Sequence, residues 1–195
     1  MEQVYANILN DARYQKNILW GKPRNGHPEG SILAHINELE RNLDKLASLD
    51  PFVKSHYTTF KVLIHVHDTF KPDAEEVPIP HPKSHASQAA AFLKEMAEGI
   101  VSETHLAELV QIVQYHDEPF ALWNQTRRKG KYNQARFDAL VNNTRMDLFI
   151  PFCVIDGCTE GKSSAPLRWF IDLLQKNGQF IVPWDTILGF IDKAI

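Results

Sequence analysis

Apolar residues recur at spacings of three and four through almost the whole chain, while runs that alternate polar with apolar are short and scarce. A strand needs every second residue on its buried face, whereas a helix places i, i+3, i+4 and i+7 on one side. The pattern therefore predicts an all-α fold, with helices near 4–19, 29–48, 54–69, 84–98, 103–117, 132–143, 145–159, 165–176 and 184–193. Proline and glycine mark the gaps between them, at Lys22 to Pro28, Pro72 to Pro82, Arg127 to Lys131, Gly157 to Pro166 and Asn177 to Pro183. The run KPDAEEVPIPH, from Lys71 to His81, holds three prolines and cannot be a helix interior, so it is expected to be a loop bordering whatever site the helices build. No self-similarity at solenoid spacing is present, which leaves a globular bundle.

With 195 residues and 44% hydrophobic content the chain can bury a sizeable core, and residues 1–195 are expected to form one domain. A net charge of −3, from 21 basic and 24 acidic residues, provides no field for holding a long nucleic acid. No apolar run reaches the ~18 residues needed to cross a bilayer, and the N-terminus lacks the pattern of a signal peptide. The expectation is a soluble, cytoplasmic protein with no membrane partner. Cys153 and Cys158, five residues apart on one predicted helix, read as buried thiols rather than as a disulfide or a zinc pair.

Several polar residues sit where the helical pattern demands apolar ones. His35 lies three after Ile32 and four before Leu39, on the stripe that continues through Leu43 and Leu46. His67 follows Leu63 by four, His116 follows Ile112 by four, and Asp156 follows Phe152 by four. Burying such groups without partners costs several kcal/mol each, whereas one shared cation satisfies them together. A core imidazole bonded to a carbonyl is the ordinary explanation for any single one of these histidines. The ordered series His35, His67-Asp68, His85, His116, Asp156 on separate helices instead points to a metal site. Asp147 competes for the last position, but it lies nine residues before Asp156, about 900° of rotation, so only one of the two can face a common ion. Asp156 is preferred, because it follows the apolar run Phe149–Ile155. His65, two residues before His67, is expected on the opposite face as a packing or surface residue. Asp117 is read either as a helix-end carboxylate or as an orienter of His116.

These residues resemble the HD superfamily of metal-dependent phosphohydrolases, over roughly residues 26–161. More narrowly, Gly26-His-Pro-Glu-Gly-Ser-Ile-Leu-Ala-His, Ile64-His-Val-His-Asp-Thr-Phe-Lys-Pro, His85 and Tyr115-His-Asp are similar to the HD domain attached to some bacterial tRNA nucleotidyltransferases, without a counterpart of their polymerase part. The resemblance implies an HD-type helical bundle in which His35, His67, Asp68 and Asp156 hold a divalent cation and His85 and His116 serve a second one. It also implies that Lys71 contacts substrate phosphate. The chain departs from many relatives in HDTFKP, where they carry a glycine before the lysine.

Imidazole and carboxylate ligands suit manganese, iron, cobalt, nickel, zinc or magnesium. The resemblance implies hydrolysis of a phosphoester of a small molecule by metal-activated water, as a phosphomonoesterase or a phosphodiesterase, with a nucleotide or a cyclic phosphodiester as the expected substrate. Asp68 would ligate the metal and orient the water, and Lys71 would meet the phosphate charge. Trp123-Asn-Gln-Thr-Arg-Arg-Lys-Gly-Lys-Tyr gathers four cations and two aromatics, making Arg127 and Arg128 candidate substrate contacts or a solvated loop. Gly157-Cys-Thr-Glu-Gly-Lys-Ser has three residues between its glycines, one too few for a phosphate loop, and is read as a turn that could bring Lys162 near substrate. The alternative from another class is a non-catalytic metal-containing module that senses a nucleotide; a third reading is a purely structural bundle with core histidines.

Overall fold

The computed structural model describes residues 1–24, 27–77, 81–179 and 184–193. Among them the chain is all-α: α1 (Glu2–Asn10), α2 (Ala12–Asn17), α3 (Ile32–Leu49), α4 (Pro51–Ser55), α5 (Tyr57–Val66), α6 (His85–Ala97), α7 (Glu103–Tyr115), α8 (Glu118–Lys129), α9 (Gln134–Asn143), α10 (Met146–Gly157), α11 (Ala165–Lys176) and α12 (Trp184–Lys193). The only extended pairing among the described residues is an isolated bridge between Arg24 and His27. No described helix is long and apolar enough to cross a membrane.

A helix that is apolar all round must be covered all round. In α5, Thr59, Phe60 and every residue from Val62 to Val66 are buried, and α1, α3, α4, α6, α7 and α10 pack around it. α10 is nearly as apolar, buried from Leu148 to Ile155, and lies against α3, α5, α11 and α12. α3 is amphipathic and turns Ile32, Ile36, Leu39, Leu43 and Leu46 inward. The buried apolar side chains form one cluster reaching from Val4 on α1 to Ile191 on α12.

The sequence reading needs three corrections. The helix expected over 4–19 is broken at Asp11, whose carboxylate accepts from the backbone N–H groups of Arg13 and Tyr14 and so caps a new helix. The helix expected from 54 begins at Pro51 and changes direction at His56 between α4 and α5. The segment read as a loop around Arg127 and Arg128 belongs to α8, and Arg127, Arg128 and Lys129 occupy its last turn, ahead of Gly130 in the left-handed conformation. Cations at a helix C-terminus offset the partial negative charge of its free carbonyls, which accounts for the basic run without a ligand. Of the proline-rich stretch, Lys71–Asp73 form a single 3-10 turn, while Pro78, Ile79 and Pro80 lie outside the described residues, as does Gly26 at the start of the motif-bearing core.

The elements meet with their ends at one place. α5, α7 and α10 bring their C-terminal ends there, carrying His67-Asp68, His116-Asp117 and Asp156, while α3 and α6 bring their first turns, carrying His35 and His85. Ser31 and Ser84 start those two helices by accepting from Ala34 N–H and Ser87 N–H. On α3, Asn42 donates to the carbonyls of Ile155 and Cys158, both at 3.0 Å, and ties the end of α10 in place.

Candidate metal centre

Two triads of ligand atoms stand side by side, His35, His67 and Asp156 in one and Asp68, His85 and His116 in the other, and His27 and Glu29 form a third group with His35, the atoms of each group lying within 4.8 Å of one another. Donors at ~2.1 Å from one ion lie roughly 3–4 Å apart, so these spacings suit a cation. In the first triad His35 Nε2 is 3.0 Å and His67 Nε2 3.8 Å from Asp156 Oδ1. In the second, His85 Nε2 and His116 Nε2 are 3.3 Å apart. Asp68 stands between them. Its Oδ2 lies 3.3 Å from His67 Nε2 and 3.9 Å from His35 Nε2, and its Oδ1 lies 3.6 Å from both His85 Nε2 and His116 Nε2. Asp117 Oδ2 extends the second group, 3.3 Å from His85 and 3.6 Å from His116.

Local chemistry prepares the rings as ligands. His67 and His116 follow the last turns of α5 and α7, where carbonyls have no helical N–H partner. His67 Nδ1–H donates to Ile64 O at 2.9 Å, and His116 Nδ1–H donates to Val113 O at 2.7 Å, which turns both Nε2 atoms toward the centre. Two of the atoms so presented, His67 Nε2 and Asp68 Oδ1, are buried with no hydrogen-bond partner. An unpaired buried polar atom costs about 1–3 kcal/mol, and a cation between the rings and the carboxylates removes that cost for both. The donor set and its buried unpaired atoms fit a divalent ion, whose identity they leave open between the harder and borderline metals.

Burial pushes the His67 ring toward its neutral, ligating form against the pull of Asp68. At His116 burial also opposes charge, but Asp117 and Asp68 outweigh it and lift the ring to about 9, so a cation taking this position competes with a proton. Burial disfavours ionised Asp68, yet His67 and Lys71 hold it well below the usual carboxylate range. Asp156 is held low in the same way, against burial, by Lys162 and His35. Lys71 Nζ bonds Asp68 Oδ2, and Lys162 Nζ donates to Asp156 Oδ1 at 2.8 Å.

The centre opens on a cavity of about 360 Å³. Its lining includes the polar Asp68, Asp156, His116, Lys71 and Lys162 and the less polar Pro119, Phe120, Cys153, Pro166 and Leu167. Phe120, part of this lining, is 57% exposed. Cys153 and Cys158 are free buried thiols, kept protonated by burial, with Cys158 pushed up to about 12.

All six residues of the ligand series thus come together, with Lys71 beside them. Arg127 and Arg128 do not join: both are exposed on the last turn of α8 and neither lines the cavity, Arg127 resting instead over the Trp123 ring. Asp147 pairs with Arg145 at 3.0 Å, away from the ligand cluster. His65 is buried on the other side of α5 against Tyr14, Tyr5 and Glu40. Sequence reasoning missed Phe120, because α8 was not recognised, and gave no role to His27 or to Glu29, which it placed at the start of a helix over 29–48 although α3 begins only at Ile32 and Glu29 lies in the loop before it. Compared with protein-family models, curated proteins and solved structures, the chain matches none. Function has to be read from the site itself.

Proposed function

We propose that the protein is an HD-type metal-dependent phosphohydrolase acting on a small phosphorylated molecule, most readily a nucleotide. The observation that carries this reading is Asp68: one buried carboxylate turns one oxygen toward His35 and His67 and the other toward His85 and His116, the position of a bridge between two cation sites. Divalent ions held there would supply a lowered pKa for a coordinated water and positive charge against the phosphate oxygens. The chain's own residues do the rest. Lys71 and Lys162 stand at the cavity edge of the carboxylates, where a phosphate oxygen can accept from either ammonium. The less polar part of the lining, which includes the exposed Phe120, offers a surface for a flat base or another apolar group of the ester. A volume of about 360 Å³ suits one small molecule rather than a polymer.

In the reaction water attacks phosphorus, the bond from phosphorus to the leaving oxygen breaks and that oxygen takes a proton, so a monoester gives an alcohol and inorganic phosphate and a diester gives an alcohol and a phosphomonoester. The test is a panel of phosphomonoesters and phosphodiesters assayed with protein loaded in turn with manganese, cobalt, nickel, zinc and magnesium. Metal-dependent turnover is expected, and Asp68→Ala should lower it by at least about 10³-fold while circular dichroism shows an unchanged helical fold. A loaded protein inert on the whole panel but binding a nucleotide would support the sensing module instead.

A further inference from the structure

Of the four histidines of the centre, His67 and His116 have their Nδ1–H occupied by a carbonyl, and His35 cannot use the device that serves those two. His67 and His116 lie just past helix C-termini and reach back to carbonyls that the helix leaves free. His35 lies in the first turn of α3, where the corresponding carbonyl three residues behind it, Ile32 O, starts the helical ladder of α3 instead of ending one. The group in reach is the carboxylate of Glu29, whose side chain is only 5% exposed and whose Oε1 is 3.1 Å from His35 Nδ1. The same oxygen accepts from His27 Nδ1–H at 2.8 Å, and the His27 ring meets the His35 ring edge to face at 5.5 Å. Glu29 Oε2 and His35 Nδ1 are both buried without a hydrogen-bond partner, so each lacks what the other can supply.

We infer that Glu29 is the positioning residue of this centre: it takes the Nδ1–H of His35, fixes the ring with Nε2 toward the ion, and at the same time clamps His27 at the cavity wall. The inference rests on the metal reading above and deepens it. A carboxylate behind a ligating imidazole also makes the ring a better donor than a carbonyl does, so the triad of His35, His67 and Asp156 should be the one most sensitive to Glu29.

The experiment is Co²⁺ titration of the full chain by calorimetry and visible absorption, on wild type, Glu29→Leu and Glu29→Gln. Glu29→Leu is expected to weaken one Co²⁺ site 10–100-fold and change its spectrum. Glu29→Gln keeps an oxygen acceptor but not the negative charge, and should bind more weakly than wild type and more tightly than Glu29→Leu. If Glu29→Leu fails to fold by circular dichroism, Glu29→Asp, which withdraws the carboxylate by one methylene, is read in its place with the same expected loss. A Glu29→Leu protein, or Glu29→Asp where that is read, with wild-type affinity and spectrum overturns the inference, as does a Glu29→Gln protein impaired as severely as Glu29→Leu. Wild type that takes up no Co²⁺ overturns the metal reading itself, a different result from either.

Discussion

Among individual residues, the clearest contrast is between the two histidines of Ile64-His-Val-His-Asp. His67 aims at the centre, and His65 is turned to the opposite side of α5, where Tyr14 OH is 2.5 Å from Nδ1 and Glu40 Oε1 is 3.1 Å from Nε2. Two residues on a helix are separated by about 200°, so adjacent positions in one motif serve unrelated purposes. Glu40 also pairs with Lys61 at 3.1 Å. Its pKa is lowered to about 2, chiefly by the hydrogen bond from His65, with Lys61 adding to it against the opposing effect of burial. A carboxylate held lower in the folded than in the unfolded chain stabilises the fold above its unfolded pKa of roughly 4.3, and that stabilisation disappears as pH falls toward the folded value. With its side chain 30% exposed, the contribution at neutral pH is about 1–2 kcal/mol. Glu40→Gln should therefore unfold several degrees below wild type at pH 7, and the two melting curves should converge between about pH 4 and pH 2. A constant offset across that range would remove Glu40 from the acid response.

Helices with wide apolar faces were legible in the sequence, and α9 was too with only Phe137 and Leu140 buried, whereas α8 was missed. α3, α5 and α10 announce themselves because Leu39, Phe60 and Phe149 belong to long buried stripes. α8 does not, since of its residues only Glu118, Pro119 and Leu122 are buried and its second half is polar and basic. Its start is secured by a pairing that periodicity does not reveal, buried Glu118 against Arg136 of α9. The ligand positions were legible for the same reason as the stripes: a polar residue within an apolar face is conspicuous. Glu29 was not, because it lies in a loop buried by packing between distant segments. That packing is close at Gly161, in the left-handed region with φ 76°, where a Cβ would come within 2.8 Å of Pro28 Cδ. Gly99 has a similar φ, 71°, with nothing near the corresponding point. Gly99→Ala should cost about 1 kcal/mol from backbone conformation alone, and Gly161→Ala at least about 1 kcal/mol more from the contact. Equal losses in denaturant melts would mean that the loop carrying Glu29 does not rest on the segment carrying Lys162.

For the molecule as a whole, helices far apart in the chain are held by one apolar core so that three C-terminal ends and two first turns converge. The three C-terminal ends bring partial negative charge and the two first turns partial positive charge, so the helix dipoles largely offset one another and the preference for a cation comes from the side chains. The core fixes where the ends lie, and an ion bound among these His and Asp side chains would add an energetic link between α3, α5, α6, α7 and α10. A ligand present at 100 times its dissociation constant stabilises the folded state by about 2.7 kcal/mol, equivalent to a rise of roughly 5–10 °C for a chain of this size. Dialysis against a chelator should lower the melting temperature by that amount, and readdition of the divalent ion should restore it. The most direct measurement of the central claim is a crystal of the protein grown with Mn²⁺ and recorded for anomalous scattering. A peak about 2.0–2.4 Å from His35 Nε2, His67 Nε2 and the carboxylates of Asp68 and Asp156 is the predicted result, and a well-ordered centre with no peak among those four residues would contradict it.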